Sequence, residues 1–173
     1  MNPEALIIVD MLNDFVCPDG ALFVGETVRR IIPEIQKKLA HARGESIPVI
    51  YICDNHDPDD AEFEMFPPHC VAGTRGAEVH KDLRPGKDDI VILKKRFSGF
   101  FETELDEVLK KYDIHSIELC GVCTNICIMY TAADARARGY EVIVDRRCVD
   151  SFDHAAHEFA LKEMDRVLGV KIV

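Results

Sequence analysis

The chain alternates between short apolar runs and longer amphipathic patterns, and this alternation restricts the folds open to it. Six runs are rich in Ile and Val and have the length of single strands, at residues 5–10, 47–54, 89–95, 116–121, 140–145 and 169–173. The patterns between them fit helices at residues 26–44, 103–113, where Thr103 is the expected N-cap, 123–139 and 154–169. Continuously apolar strands that alternate with helices predict parallel strands buried on both faces. We therefore expect an α/β fold, a three-layer α/β/α sandwich with a mainly parallel six-stranded sheet.

Size and charge narrow the range of partners. The 173 residues, 47% of them hydrophobic, suit a single domain over residues 1–173. The net charge of −10 disfavours nucleic acid and anionic membranes. No stretch approaches the roughly 18 apolar residues of a membrane span, and the N-terminus lacks the basic, apolar pattern of a signal peptide. We expect a cytoplasmic protein that acts on a small molecule.

The seven cysteines do not suggest a disulfide framework. Their number is odd, they are scattered along the chain, and none forms a CxxC pair. In the cytoplasm they should stay reduced, and most are expected to be small core residues. A redox role for Cys123 and Cys127 would require an uncommon CxxxC pairing.

Polar residues that could take part in catalysis or metal binding lie where the predicted strands end. Asp10 ends the first strand, Asp54 and His56 follow the second, Lys94 ends the third, and the sequence GVCTNIC at 121–127 follows the fourth. In a parallel sheet, ligands bind at the carboxyl ends of the strands. The sequence therefore predicts that a carboxylate, an ammonium group and cysteines meet at one edge of the sheet.

Cys127 is the candidate nucleophile at this edge. It falls in the first turn of the predicted helix at 123–139, where the helix dipole should lower the pKa of a thiol from about 8.5. The backbone N–H groups of Cys123 and Cys127 could together bind an oxyanion. The alternative is that both cysteines only pack beneath the helix.

The connection from residue 54 to residue 88 lacks clear periodicity and is too long for a simple turn, so it is a candidate functional loop. Asp54 and His56 point to the same side if the chain stays extended, and His69 follows within the loop. Two histidines and a carboxylate suit Zn²⁺, Mn²⁺ or Fe²⁺. Solvated loop histidines are the alternative.

These motifs resemble the isochorismatase-like cysteine hydrolase superfamily and, within it, the nicotinamidases. The resemblance extends over nearly the whole chain. It is carried by DMLNDFV at 10–16 with DGAL after it, DNHDPDDAEFEMFPPHCVAGTRGAE at 54–78, KKRFSGFFETEL at 94–105 and GVCTNICIMYTAADA at 121–135.

The resemblance implies a catalytic triad of Asp10, Lys94 and Cys127. It also implies a cis peptide bond between Val122 and Cys123, with the N–H groups of Cys123 and Cys127 as the oxyanion hole. Isochorismatases that cleave vinyl ethers lack this nucleophile, so Cys127 favours amide hydrolysis through a thioester.

The resemblance further implies a divalent metal, with Zn²⁺ expected before Mn²⁺ or Fe²⁺, that binds the pyridine nitrogen of the substrate. Its ligands would be Asp54, His56 and His69, with Glu62 as a fourth ligand and Glu64 as the rival for that position. The chain departs from the common pattern because DNHD replaces a DWHP-like sequence and the chain contains no Trp. An aromatic wall for the ring would instead come from three phenylalanines, Phe15, Phe66 and Phe97.

We therefore expect a nicotinamidase that releases nicotinate and ammonia and serves NAD recycling. The first alternative is a related hydrolase of another small amide, an N-carbamoyl or ureido compound, with vestigial metal ligands. A binding or sensing protein without catalysis is a further alternative. Oligomers are common among relatives, which leaves a homo-oligomer open.

Overall fold

The computed structural model describes residues 3–173 and places six strands in one sheet. Residues 1 and 2, part of the N-terminal segment from which no signal peptide is expected, lie outside the described residues. All neighbouring strands pair in parallel, in the order β3-β2-β1-β4-β5-β6. This confirms the predicted α/β fold. The strands are β1 (Ala5–Val9), β2 (Val49–Asp54), β3 (Ile90–Lys94), β4 (Ser116–Val122), β5 (Glu141–Asp150) and β6 (Lys171–Ile172).

Helices cover both faces of the sheet. They are α1 (Asn13–Val16), α2 (Ile31–Gly44), α3 (Leu105–Lys111), α4 (Met129–Ala137) and α5 (His154–Arg166). Side chains alternate across β1, so that Ile7 joins an apolar core with α3, α4 and α5, whereas Ile8 joins a second core with α1 and α2. These two cores are the interfaces of the three-layer sandwich.

Three helices begin later than the sequence pattern predicts, and α4, expected from residue 123, begins only at Met129. Residues 26–30 form a 3₁₀ turn before α2, and Pro33, which has no N–H, lies in the first turn of α2 where that loss matters least. Helix α3 begins at Leu105, whose N–H donates to the Thr103 hydroxyl at 3.3 Å. Thr103 thus supports the start of α3 from one residue before the N-cap position.

The expectation that all six strands are buried on both faces is wrong at the two edge strands: in β6, Lys171 is exposed and Ile172 half-buried, and β3 is open on one face. Val91 and Leu93 are 44% and 55% exposed, whereas Ile92 between them is fully buried. The reason is position, because β3 is an edge strand and α2 packs over the centre of the sheet. One face of β3 therefore remains open to solvent.

The strand order fixes where a ligand can bind. The chain runs outward from β1 to β3, returns to β4 beside β1, and then runs outward on the other side. Such a reversal leaves a crevice at the carboxyl ends of the two central strands. Gly121 in β4 permits their close approach, since its φ is +119° and a Cβ there would lie 2.0 Å from the Val9 carbonyl oxygen.

The loop from 54 to 88 is ordered by short 3₁₀ turns at Ala61–Glu64, Arg75–Ala77 and Lys81–Leu83. A single bridge pairs His56 with Val71, which folds the loop back over the end of β2. No helix within residues 3–173 is long and apolar enough to cross a membrane.

Candidate active site

The three residues expected to form a triad meet at the carboxyl edge of the sheet. The ammonium nitrogen of Lys94 lies 2.8 Å from Asp10 Oδ2 and 3.6 Å from Cys127 Sγ. It also donates a short hydrogen bond to Asp54. All four side chains are buried. Residues from three different strand ends and one helix start therefore share a single water-poor site.

Asp10 is held by the backbone at the end of β1. Its φ of +52° is in the left-handed region, which Asp tolerates better than most residues. Its Oδ1 accepts a hydrogen bond from the Asp54 N–H at 2.8 Å. This contact fixes the carboxylate and leaves its second oxygen facing Lys94.

Burial sets the protonation behaviour of this site. Burial, followed by the charge of Asp54, raises the pKa of Asp10 to about 6, although Lys94 opposes the rise. Burial would also raise the pKa of Asp54, but the charge and hydrogen bond of Lys94 and the nearby His56 ring keep it below its usual value. The two carboxylates hold the pKa of Lys94 well above its usual range despite burial. The site thus contains a fixed cation and a carboxylate with an unusually high proton affinity.

Cys127 differs from its sequence-based expectation in two respects. It lies in a π-helical turn, Thr124–Ile128, that precedes α4, and not in a regular first α-helical turn. Burial raises the pKa of its thiol well above the usual value, although Lys94 opposes this. The expected lowering by the helix start is therefore outweighed by desolvation. A carboxylate oxygen of Asp10 lies within 4.8 Å of the Cys127 sulfur, which places a base near the thiol.

Cys123 occupies the turn between β4 and Cys127. The Val122–Cys123 peptide bond is cis, as expected from the resemblance. The Cys123 side chain is 4% exposed, and its sulfur packs against the Ser151 hydroxyl and the Phe152 N–H. The side chain therefore faces the segment after β5, where it is part of the packing.

Asp54, His56 and His69 form a cluster in which the ligand atoms lie within 4.8 Å of one another. The His69 Nδ1 donates to the Pro67 carbonyl at 2.8 Å, and the His56 Nδ1 pairs with Asp60 Oδ2 at 3.1 Å. The Nε2 atom of each histidine is thereby left for another partner. His56 Nε2 is fully buried without a hydrogen bond.

This donor set fits a divalent transition metal. A histidine that ligates a metal usually donates its other ring N–H to a carboxylate or carbonyl group, as His56 and His69 do through Asp60 and Pro67. A buried imidazole nitrogen without a partner is unfavourable unless a ligand satisfies it. Two imidazoles and a carboxylate suit Zn²⁺, Mn²⁺ or Fe²⁺. Asp60 was not identified from the sequence because the loop has no periodicity that would mark it.

Glu62 and Glu64 have different environments. Glu62 is 6% exposed, and its Oε1 lies 3.9 Å from His69 Nε2, whereas Glu64 is exposed. Burial raises the pKa of the Glu62 carboxyl group. Of the two, Glu62 is placed to complete the cluster.

A pocket opens beside both groups of residues. Phe15, Phe66 and Phe97, the three expected aromatic residues, line it, and the ring centroids of Phe15 and Phe66 lie 5.5 and 6.2 Å from that of His69. Cys127, Asp54 and His69 thus face one largely apolar cavity. The other lining residues are Leu22, Asp54, Glu62, His69, Val122, Cys123, Ile126, Cys127 and Phe152.

Phe152 lines the pocket but was missed from the sequence. It follows β5 directly, at a strand end of the kind that located Asp10 and Lys94. The sequence pattern ended that strand at residue 145, whereas β5 continues to Asp150. The preference of ligands for the carboxyl ends of parallel strands would have identified Phe152 had the full length of β5 been recognised.

Comparisons with known proteins agree with this geometry. The isochorismatase domain model matches residues 4–172. The nicotinamidase/pyrazinamidase of Bacillus subtilis superposes with a TM-score of 0.93 at 34% identity, over 98% of each chain. A pyrazinamidase of Pyrococcus horikoshii in complex with zinc gives 0.91 at 34% identity, over 98% of this chain and 97% of that one. An N-carbamoylsarcosine amidase of Thermoplasma acidophilum gives 0.89 at 34% identity, over 99% and 95%.

The fold and the pocket define a three-layer α/β/α protein whose candidate active site lies at the carboxyl ends of its parallel strands. The chain belongs to the isochorismatase family.

Proposed function

We propose that the protein is a metal-containing nicotinamidase that hydrolyses nicotinamide to nicotinate and ammonia. The supporting observation is the shared pocket, in which Cys127, the cluster of Asp54 and His69, and phenylalanine rings line one cavity. A flat heteroaromatic amide could place its ring against the phenylalanines while its carboxamide reaches Cys127. In the same role, the protein would serve the recycling of NAD.

The chemistry would begin with proton transfer from the Cys127 thiol to Asp10. The pKa of Asp10, raised to about 6, lies closer to the pKa of the thiol than that of an ordinary carboxyl group, which suits a general base near neutral pH. The sulfur then attacks the carboxamide carbon to form a tetrahedral oxyanion, which the N–H groups of Cys123 and Cys127 would stabilise. Asp10 returns the proton to the leaving nitrogen, ammonia departs, and a thioester remains on Cys127. Asp10 then takes a proton from water, the resulting hydroxide adds to the thioester carbon, and the carbon–sulfur bond breaks to release the acid. Asp10 returns its proton to the Cys127 sulfur.

Lys94 would act through charge. Its ammonium group lies between Asp10, Asp54 and Cys127, so it offsets the negative charge that develops on the sulfur. It needs no proton transfer for this role.

A metal bound by Asp54, His56 and His69, with Glu62 nearby, would supply a Lewis acid that binds the pyridine nitrogen and orients the ring. The chain's own contribution is to hold the imidazoles through Asp60 and Pro67. Similarity to a zinc-bound pyrazinamidase supports Zn²⁺ as the first metal to test.

Cleavage of an N-carbamoyl compound is the second candidate, favoured by similarity to the N-carbamoylsarcosine amidase. That substrate carries a carboxylate. Among the described residues that line the pocket, none is Lys or Arg, and Asp54 and Glu62 add acidic groups. A neutral ring therefore fits this pocket better than an anionic chain.

Ammonia release distinguishes the candidates. We expect the purified protein to release ammonia from nicotinamide and pyrazinamide faster than from N-carbamoylsarcosine or ureidoacrylate. Chelation should abolish this activity, and Zn²⁺ or Mn²⁺ should restore it. Preferred cleavage of the carbamoyl compounds with indifference to chelation would replace the first candidate by the second.

Cys127→Ala tests the enzymatic role itself. The variant should release no ammonia from any of these amides, whereas Cys17→Ser, at a half-buried cysteine outside the pocket, should retain wild-type rates. Trapped turnover mixtures should carry an acyl adduct on Cys127 by mass spectrometry. Activity that survives Cys127→Ala would contradict every reading that depends on this nucleophile.

A further inference from the structure

Asp14 has no role in the chemistry above, yet its side chain connects two separate loops of the pocket. Its Oδ2 accepts the Cys70 N–H at 2.7 Å, and its Oδ1 accepts the Ala21 N–H at 3.1 Å. Its backbone carbonyl accepts the Leu22 N–H at 3.1 Å. Segments far apart in the sequence therefore converge on one residue.

Each side-chain contact of Asp14 is to a residue adjacent to the pocket lining, and Leu22, bonded to its backbone, lines the pocket itself. Cys70 follows His69, Ala21 precedes Leu22, and Asp14 itself precedes Phe15. A shift of either loop away from Asp14 would therefore displace a metal-cluster histidine or an apolar wall of the pocket. The helix that carries Asp14 begins only three residues after Asp10, so the carboxylate is anchored close to the catalytic site.

The close packing around Asp14 is consistent with this role. A Cβ at Gly76 would lie 2.1 Å from Asp14 Oδ2, and a Cβ at Gly20 would lie 2.4 Å from the Asp14 carbonyl oxygen. Only glycine at these two positions lets both loops approach so closely. Asp14, which is half-buried, is thereby held close to both loops, by its side chain at Gly76 and by its backbone at Gly20.

We propose that Asp14 is a positioning residue that holds the His69 loop and the Leu22 loop in the geometry needed for metal and substrate binding. It touches neither substrate nor metal. This role rests on the proposed metal site and pocket, but its hydrogen bonds can be tested without either. The two carboxylate oxygens have separate tasks, because Oδ2 holds the metal side and Oδ1 holds the Leu22 side.

Two substitutions separate these tasks. Asp14→Ala removes both acceptors. Asp14→Asn keeps the shape but only one acceptor oxygen, and we expect that oxygen to face the shorter and more buried contact, at Cys70. The amide NH₂ would then face Ala21 and lose that contact. Asp19→Asn is the matched control, since Asp19 lies in the Leu22 loop but pairs with Arg75 at the surface.

Amide hydrogen exchange gives the first readout, and it depends on neither metal nor turnover. Asp14→Ala should accelerate exchange at both Cys70 and Ala21, whereas Asp14→Asn should do so at Ala21 only. Asp19→Asn should match wild type at both. If Asp14→Ala does not fold, the pattern in Asp14→Asn still decides the proposal.

Binding and turnover give the second readout. Asp14→Ala should weaken Zn²⁺ binding, measured with the metal alone, by about tenfold or more, as for residues that support a ligand from outside the coordination sphere. Asp14→Asn should keep wild-type Zn²⁺ affinity but raise the KM for nicotinamide about threefold or more with little change in kcat, as for the loss of one hydrogen bond.

Unchanged exchange at Cys70 and Ala21 in both variants would overturn the positioning role, and so would equal losses in Asp19→Asn. A wild-type protein that releases no ammonia from nicotinamide would contradict the proposed function instead, and the exchange pattern would still decide the role of Asp14.

Discussion

The ammonium nitrogen of Lys94 lies 3.6 Å from the sulfur of Cys127, and neither side chain is accessible enough for water to screen the pair. The same ammonium group contacts Asp10 and Asp54. One buried cation thus faces two carboxylates and a thiol, and its removal would leave like charges together without compensation.

Lys94→Met should therefore damage both activity and stability. We expect ammonia release to fall by about 10²-fold or more, as for the loss of a group that stabilises developing charge. The free energy of unfolding should fall by about 3–5 kcal/mol, the range for breaking a buried ionic contact. Initial rates and urea unfolding of the same preparation measure both effects.

Lys95→Met is the control for Lys94→Met. Lys95 is the next residue, about half exposed, and pairs with Asp57 at the surface. Its replacement should change the free energy of unfolding by less than about 1 kcal/mol and leave the rate unchanged. Equal effects of the two substitutions would contradict the role assigned to Lys94.

Cys123→Ala should retain most of the activity. The proposed contribution of Cys123 is its backbone N–H, which alanine preserves, whereas its side chain packs against Ser151 and Phe152. We expect a rate within about tenfold of wild type, together with the modest loss of stability typical of a small core truncation. Loss of all turnover in a folded Cys123→Ala variant would show that the thiol takes part in the chemistry.

Phe152→Ala should weaken substrate binding more than turnover. Phe152 is 43% exposed, so a bound ring would cover its free face, and the lost contact amounts to about 1 kcal/mol or a five- to tenfold rise in KM. Phe159→Ala, at a 60% exposed position on α5 outside the pocket lining, should leave KM unchanged. Equal KM values for both variants on nicotinamide would exclude Phe152 from the substrate site.

The positions at strand ends were accessible from the sequence because a parallel sheet places all its carboxyl ends on one edge. Asp10, Asp54 and Lys94 each follow an uninterrupted apolar run, so their convergence required no knowledge of strand order. The order itself was not accessible, since the apolar runs are similar in composition and any of them could occupy the centre.

Several features of the site could not be predicted from the sequence because they depend on tertiary structure. β5 contains exposed Arg146 and Arg147 where its pairing register with β4 shifts between Leu119 and Gly121, and this polar interruption resembles a strand end. Asp14 in α1 and Asp60 in the 54–88 loop make hydrogen bonds to loop residues that no repeat in the sequence marks. The raised pKa of Cys127 follows from burial, which the helix-start pattern alone does not indicate.

Gly121→Ala should disrupt the crevice between β1 and β4. Gly121 and Gly139 both have positive φ, but an added Cβ meets the Val9 backbone only at Gly121, while nothing lies within 4 Å at Gly139. Gly139→Ala should lower the free energy of unfolding by about 1–2 kcal/mol from backbone conformation alone. Gly121→Ala should lower it further and reduce the rate, as measured by urea unfolding and ammonia release. Similar losses in the two variants would indicate that the strands can separate without consequence.

Asp145→Asn should weaken the dependence of stability on pH at acidic values. Although burial alone would raise the pKa of Asp145, hydrogen bonds from Arg147 and Lys38 lower it to about 2, against the usual 3.8. Because the folded-state pKa is depressed, the carboxylate stabilises the fold above pH 3.8, and this contribution is lost as the pH falls from 3.8 towards 2. It amounts to about 2 kcal/mol. Urea unfolding between pH 6 and 2.5 should show the wild-type advantage over Asp145→Asn narrowing only below about pH 4. A constant difference across that range would contradict the ionic role of Asp145. Lys38→Met removes one of the donors, so Asp145→Asn should lower the free energy of unfolding by less in a Lys38→Met background than in the wild type at neutral pH.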